Sequence, residues 1–184
     1  GILLSRLHSE FGISGAALEW IRSYLTGRSQ RVTVGHSHSS YQSVTTGVPQ
    51  GSVLGPLLFT CYISLAGHLI NSFGIFHQQY ADDMQLFIEM SSNAAATAIH
   101  QLERCLSALH CWLCLNGLSL NPDKSEAIWL STVQRSRSFT PATSISIAGT
   151  SISLSDTLTT LGVTLDKNLT FNSHVSSVCK SCNY

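Results

Sequence analysis

Charge is scarce in this sequence of 184 residues. Charged side chains make up 11% of it, whereas an average soluble chain has about 25%. The 10 Lys and Arg balance the 10 Asp and Glu, and 29 serines supply much of the remaining polarity. A neutral chain is not a module that holds nucleic acid by bulk positive charge. Hydrophobic residues reach 43%, which is enough for a packed core and excludes a disordered tail.

Cysteine is also sparse, and no targeting signal is visible. Six cysteines are too few for a disulfide scaffold, so we expect reduced thiols in a nuclear or cytoplasmic protein. The first residues show no basic stretch followed by an apolar run. We therefore expect a protein that is not secreted.

The most apolar stretch, 53–70, has about the length at which a membrane-spanning helix becomes a candidate. Gly55 and Pro56 interrupt its start, and no Lys or Arg flanks it. A helix that is apolar all round is also typical of a buried core. We predict a core helix that ends near residue 72 and no membrane partner.

Helical and extended patterns mix without a regular strand–helix–strand repeat, which favours the α+β class. Apolar spacing predicts further helices over 2–11, 14–25, 94–115 and from 172 onward. Alternation predicts strands over 31–34, 41–46, 75–80, 84–88, 125–130, 144–148, 151–154 and 161–165, with a loop over 134–143. The helix over 94–115 carries an apolar stripe that we expect in the core beneath the hairpin of 75–88: Ile99, Leu102, Leu106, Leu109 and Leu113.

Two adjacent carboxylates, Asp82 and Asp83, lie at the predicted tip of that hairpin. Successive strand side chains face opposite ways, so the two aspartates are not equivalent. Mg²⁺ takes oxygen ligands, usually one or two carboxylates together with substrate phosphates. Two such ions can stabilise the attacking and leaving oxygens of phosphoryl transfer. The alternative is an ordinary Asp-rich turn, because Asp favours turns.

The aspartates belong to one of four sequence blocks that follow each other in a distinctive order. The blocks are TGVPQGSVLGPLLF at 46–59, YADD at 80–83, LSLNPDKSE at 118–126 and TLGVTLD at 160–166. In this order they resemble motifs B, C and D and the start of the primer-grip region in the reverse transcriptases of non-LTR retrotransposons. The blocks span most of the chain, which makes the set far more specific than any one of them.

The resemblance implies a polymerase palm, which is an antiparallel sheet with packed helices. Residues 1–138 would then form part of the fingers and palm, and 139–184 the end of the palm, the primer grip and the start of the thumb. It also implies RNA-templated DNA synthesis by the complete protein, with an RNA template, a DNA primer and dNTPs as partners. Two Mg²⁺ ions would be held in part by Asp82 and Asp83, which become catalytic residues.

The other motifs imply further roles. Gly47 and Gly51 lack a Cβ and let the backbone approach a nucleotide closely. Gln50 offers both a donor and an acceptor to a sugar or base. By resemblance, the turn that holds Gln50 and Gly51 lies against the incoming nucleotide, and Lys124 protonates the leaving pyrophosphate. A lysine can neutralise developing phosphate charge or act as a general acid, and the alternative for Lys124 is a solvated lysine at a strand edge.

One expected part of the family site is not found. Motif A, which precedes motif B, supplies a further aspartate, but the acids before Gly47 are Glu10 and Glu19, both within helical patterns. Residues 2–7 resemble the segment that follows motif A in relatives. We therefore expect a chain that begins just after motif A, has little of the fingers and is inactive by itself.

Basic residues are thinly spread, and Arg22, Arg28 and Arg31 form the one cluster near the expected entry side of the site. They could contact phosphates, or they could solvate a helix end and a strand. We favour the second interpretation slightly.

Two C-x-x-C pairs, Cys111 with Cys114 and Cys179 with Cys182, raise the possibility of zinc. His110 shares a helix face with the first pair, but a zinc site needs four converging ligands and this helix has no turn to wrap a metal. Ordinary thiols are favoured. Three functions remain open: a reverse transcriptase domain that is active when complete, a degenerate retroelement remnant with no catalytic role, and a zinc-binding or interaction module.

Overall fold

The structure is a computed structural model that describes residues 1–48, 51–139 and 142–183. Helices and short strands mix along the chain, so the α+β expectation is confirmed at this level. Two compact units are distinguished: Gly1–His68 with Gln79–Met84, and Leu69–Gln78 with Gln85–Tyr184. Both unit boundaries near the YADD motif fall within the hairpin strands, so the tip of the hairpin is grouped with the first unit.

Helices form the core of the first unit. Helices α1 (Ile2–Ser9) and α2 (Gly15–Leu25) pack against each other, and α1 also packs against α3 (Gly55–Ile63). Leu7 on α1 and Leu58 on α3 are buried. Helix α2 begins after Ser14, as predicted, but its apolar face is only half-buried.

Four short strands form a long antiparallel hairpin between α2 and α3. Strands β2 (Thr33–Val34) and β3 (Ser37–His38) pair next to the turn, and β1 (Ser29–Gln30) pairs with β4 (Gln42–Ser43) further down. The sequence predicted strands over 31–34 and 41–46 with residues 35–40 between them, but only Gly35 and His36 separate β2 from β3. Gly35 has a φ of +59°, a conformation that suits glycine in two-residue turns.

The apolar stretch is not one helix. It forms α3 and α4 (Leu65–Ser72), which meet at Ser64. Ile63, Ala66 and Ile70 are buried, so the prediction of core helices rather than a membrane span agrees with the burial. Within the described residues, no helix combines the length and apolarity needed to cross a membrane.

Strands β5 (Phe76–Tyr80) and β6 (Asp83–Phe87) form the expected two-stranded hairpin. The turn between them holds Ala81 and Asp82, one residue fewer than predicted, and Asp83 begins β6. Ala81 has a φ of +53°, which an alanine adopts only at a cost of about 1–2 kcal/mol. The turn that carries the two aspartates is therefore a strained one.

Helix α5 (Ala95–Leu115) is the longest element of the second unit. Its predicted stripe is buried at Leu102, Leu106, Leu109 and Leu113, whereas Ile99 is half-buried. The helix packs against β8 (Ser144–Ile147). That the stripe also lies beneath the YADD hairpin stays a prediction. Asn116 caps the helix, and Gly117, at a φ of +67°, turns the chain away after it, close to the predicted end at residue 115.

A three-stranded sheet in the order β7–β9–β8 supports α5. Strand β9 (Thr150–Ser155) pairs antiparallel with β8 and parallel with β7 (Ala127–Ile128). The predicted alternation is confirmed in the register, which places Ile145 opposite Ile152 and Ser146 opposite Ser151. The apolar residues thus share one face of the β8–β9 pair.

Two elements of the second unit were not predicted. Helix α6 (Val133–Ser138) lies in the segment predicted as a loop, and Thr132 caps it by accepting from the Arg135 amide. Strand β10 (Thr157–Thr160) pairs with β11 (Val163–Asp166) around a two-residue turn in which Leu161 and Gly162 both have positive φ. Helix α7 (Asn172–Cys182) follows and packs on β11, as the sequence predicted from residue 172 onward.

Candidate active site

Asp82 and Asp83 occupy the tip of the β5–β6 hairpin and are both exposed. The turn is braced from within, because the Gln79 side-chain amide donates to the Ala81 carbonyl at 3.0 Å. Within the described residues, neither carboxylate accepts a hydrogen bond or forms an ion pair. Both pairs of oxygens are therefore open to an external ligand.

The donor chemistry of this pair fits Mg²⁺, which binds carboxylate oxygens. The number of donors does not complete a site, because the described ranges contain no group of three His, Cys, Asp or Glu residues able to hold a metal ion. Two carboxylates on one turn can approach a cation from one side only. Within the described residues, these two carboxylates do not by themselves make a preformed two-metal centre.

The expected nucleotide-binding turn is described on both sides of a gap. Gly47 and Gly51 have φ values of +71° and +81°, so these positions need glycine for their backbone conformation as well as for access. A Cβ at either glycine would meet no described atom within 4 Å, so the described part of the chain leaves the backbone open to close approach. Gln50, predicted to contact the nucleotide, lies outside the described residues.

Side chains from two helices anchor the residues that follow this turn. The Tyr24 hydroxyl of α2 hydrogen bonds to the Ser52 hydroxyl. Arg6 of α1, only 8% exposed, donates to the Tyr62 carbonyl of α3 and stacks over its ring at 4.8 Å. Sequence reasoning missed Tyr24 and Arg6, because no local pattern shows that α1 and α2 lie beside motif B.

The base of the hairpin is linked to the expected primer-grip region. Gln85 on β6 donates from its side-chain amide to the Thr160 hydroxyl on β10 at 2.5 Å. Both residues belong to the second unit. This hydrogen bond joins β6, the strand that begins at the end of the second sequence block, to β10, which ends at Thr160, the first residue of the fourth block.

Lys124 is exposed at the end of a short 3-10 helix, Pro122–Lys124. Asn121 caps that helix by accepting from the Asp123 amide at 3.1 Å. The Lys124 ammonium forms no ion pair with any described residue. Lys124 belongs to the second unit and the two aspartates to the first, so its catalytic role stays a prediction.

The cysteine pairs form no metal centre within the described ranges. Cys111, Cys114, Cys179 and Cys182 are exposed free thiols. His110 approaches Cys114 at 3.8 Å, the one contact that supports the predicted shared face. Burial raises the pKa of the Cys105 thiol, which keeps that residue protonated and unreactive.

Comparison with known proteins identifies the family. A model of the family described as reverse transcriptase (RNA-dependent DNA polymerase) matches residues 3–165. The chain is 32% identical to a probable RNA-directed DNA polymerase from transposon BS of Drosophila melanogaster, over 88% of this chain and 18% of that protein. It is 29% identical to the RNA-directed DNA polymerase from mobile element jockey of Drosophila melanogaster, over 86% of this chain and 17% of that protein.

The matched relatives are much longer than the matched region, since the chain spans less than a fifth of their length. No solved structure matches it at a significant level. The family match covers three of the sequence blocks and all but the last residue of the fourth, and the relatives come from mobile elements, as the resemblance to non-LTR retrotransposons predicted. The chain belongs to the reverse transcriptase family.

Proposed function

We propose that this chain forms the palm region of an RNA-templated DNA polymerase, in which Asp82 and Asp83 bind the catalytic divalent cation. The observation that carries the proposal is the two-residue turn that leaves both carboxylates exposed and without a partner among the described residues. An acid that its own protein does not use is available to a ligand. The family match and the names of the relatives supply the reaction, and their partners would be an RNA template, a DNA primer and dNTPs.

The two aspartates have different positions in the hairpin. Asp82 lies in the turn and Asp83 is the first residue of β6. Because one carboxylate comes from the turn and the other from the strand, the two are not equivalent toward a single ion. We propose that Asp82 is the main ligand and Asp83 the secondary one. When bound, Mg²⁺ would neutralise charge on the phosphates of the incoming nucleotide.

The remaining proposed roles belong to the chain's own groups. The open backbone at Gly47 and Gly51 admits the nucleotide, and Gln50 hydrogen bonds to its sugar or base. Lys124 donates a proton or positive charge to the leaving pyrophosphate. Residues 1–138 serve as fingers and palm, and 139–184 as the end of the palm, the primer grip and the start of the thumb.

Mn²⁺ binding followed by electron paramagnetic resonance tests the proposed ligands without requiring activity. We expect weak binding that Asp82→Asn reduces more than Asp83→Asn does. The matched control is Glu89→Gln, which removes an exposed acid two residues after the end of β6 and should leave Mn²⁺ binding unchanged. Equal losses in the two aspartate variants would contradict the asymmetry. A comparable loss in the control, or no loss at all, would contradict the site.

A further inference from the structure

Three arginines that are close in sequence have different surroundings in the first unit. Arg22 forms an exposed ion pair with Glu19 at 3.4 Å. Arg31 stacks over the Tyr41 ring, with its guanidinium carbon 5.0 Å from the ring centroid. Each of these two guanidinium groups has a partner within the protein.

Arg28 differs from both. It is half-buried, and its Nε donates to the Leu25 carbonyl at 3.1 Å. Its Nη1 is buried and has no hydrogen-bond partner among the described residues. A buried charged group without a full set of partners is costly, so such groups normally pair with an opposite charge. Arg28 therefore has no acidic partner among the described residues, which leaves its buried Nη1 available to an external anion.

Arg28 lines a cavity of about 590 Å³ that contains no acidic side chain among its lining residues. The cavity is within the usual size range of small-ligand sites, about 300–1,000 Å³. Four lining residues carry hydroxyl groups: Ser29, Ser43, Thr45 and Thr46. One cation surrounded by hydroxyl donors is a suitable environment for an oxyanion.

Local structure holds this arrangement in place. Gly27, at a φ of +64°, turns the chain after α2 and leads directly into Arg28. The Arg28 carbonyl accepts from the Val44 amide at 2.9 Å, which fixes its backbone to the opposite arm of the hairpin. Ser29 pairs directly with Ser43, so both hydroxyl groups lie on the same face of the ladder.

We propose that the Arg28 cavity binds a phosphate group. A guanidinium group offers two parallel N–H donors that match phosphate oxygens, and the hydroxyl groups can satisfy the oxygens that remain. The lining of the cavity includes Thr46 and Val48, the two neighbours of Gly47 at the start of motif B. The inference rests on the proposed function for its source of phosphate, which is either a nucleic acid backbone or the triphosphate of a nucleotide.

The test measures binding of three probes by the chain in EDTA, so that no metal at Asp82 contributes. The probes are a labelled single-stranded oligonucleotide, with dTTP and inorganic phosphate as competitors. Arg28→Gln should weaken binding about tenfold or more, because it removes charge-assisted hydrogen bonds. Arg28→Lys should lose less, since it keeps the charge but not the planar fork. Arg22→Gln and Arg31→Gln are matched controls that each remove one exposed arginine, and circular dichroism verifies folding of every variant.

The probes also identify the source of the phosphate. If Arg28→Gln weakens only the oligonucleotide, and lowers the salt dependence of its binding by about one phosphate contact, the source is a nucleic acid backbone. If the variant weakens only competition by dTTP, the source is the nucleotide. Equal weakening for all three probes supports a general phosphate site.

Other outcomes overturn the inference. They are no binding by the unaltered chain, or a loss in Arg28→Gln that is no larger than the loss in Arg22→Gln or Arg31→Gln. The Mn²⁺ experiment on Asp82→Asn is independent of these results. If Asp82→Asn loses Mn²⁺ binding and Arg28→Gln binds the phosphate probes as well as the unaltered chain does, only this inference is refuted. If Asp82→Asn keeps Mn²⁺ binding and Arg28→Gln loses probe binding, only the proposed metal ligands are refuted.

Discussion

Helix α5 and the β5–β6 hairpin were both predicted clearly from sequence, yet they differ in how the chain uses their side chains. The leucine stripe of α5 is buried, with Leu109 only 2% exposed. The hairpin keeps large aromatic groups at the surface, since Phe76 is 75% and Tyr80 67% exposed. The helix is occupied with holding the fold together. The hairpin buries fewer large side chains and contributes less to stability, which is typical of an element that presents functional groups.

The acidic residues show the same contrast. The Asp166 carboxylate accepts hydrogen bonds from three backbone amides, those of Asn168, Thr170 and Phe171, and from the Thr170 hydroxyl. It thereby closes the loop between β11 and α7. Asp82 and Asp83 have no such partners within the described residues. An acid saturated by its own loop is structural, and acids left open at a strained turn are available for chemistry.

The largest expected effect concerns activity at the hairpin. Residues 1–184 alone should not extend a DNA primer on an RNA template, because two carboxylates on one turn cannot align the reacting groups, and lost alignment costs orders of magnitude in rate. Fusion to an upstream segment that carries a motif A aspartate should give extension with Mg²⁺ or Mn²⁺. Asp82→Ala in the fusion should abolish it. Extension by residues 1–184 alone that Asp82→Ala abolishes would show that no further carboxylate is needed.

A second prediction tests the structural side of the comparison. Leu106→Ala in the α5 stripe should lower the free energy of unfolding by about 2–5 kcal/mol, the usual cost of truncating a buried leucine. Leu115, the last residue of the same helix, is 82% exposed. Leu115→Ala is therefore the control and should change the free energy of unfolding by less than about 0.5 kcal/mol. Denaturant unfolding measures both. Similar small changes in the two variants would mean that the stripe is not core.

The smallest expected effect is the pH dependence of the Asp166 loop. Hydrogen bonds to the carboxylate, led by that from the Thr170 amide, hold the pKa of Asp166 below its ordinary value of 3.8. A lowered pKa means that the charged form stabilises the fold above this value, and that the contribution is lost as the pH falls below it. Asp166→Asn should therefore be less stable than the unaltered chain at neutral pH. On acidification, the variant should lose less stability than the unaltered chain does. Thermal unfolding across pH measures this, and the control is Asp123→Asn, which removes an exposed acid that forms no ion pair with any described residue. Parallel curves for the chain and Asp166→Asn would argue against the loop network.

Some elements were predictable because their signals are local. The α5 stripe, the β8–β9 alternation and the turn at Ala81 and Asp82 all depend on spacing within one segment. Helix α6 was missed because its segment is polar and shows no apolar period. A contact distant in sequence holds it, since Arg135 donates to the Met90 carbonyl at 2.7 Å. Next to the helix, Trp129 packs edge-on against Phe139, the residue that caps its end.

The predicted single apolar helix shows a different limit. Composition alone indicated a continuous helix ending near residue 72, but the chain divides it at Ser64 into α3 and α4. No Gly or Pro marks the division, which is where a break is usually expected from sequence. The Ser64 hydroxyl bonds back to the Cys61 carbonyl at 3.1 Å, a contact of the kind that bends helices.

By itself the sequence determined the family, the α+β class and the position of Asp82 and Asp83 at the tip of a hairpin. Motif order and hydrophobic period carry this information, because both can be read from short segments of the chain. The sequence could not decide whether Arg22, Arg28 and Arg31 contact phosphates or are solvated, because the three side chains are chemically identical. Only the tertiary structure separated them, by giving Arg22 an acid, Arg31 an aromatic ring and Arg28 a cavity with one buried nitrogen unpaired among the described residues. The physical reason is that the state of a charged side chain depends on its solvation and partners, and these are set by residues that the fold brings near.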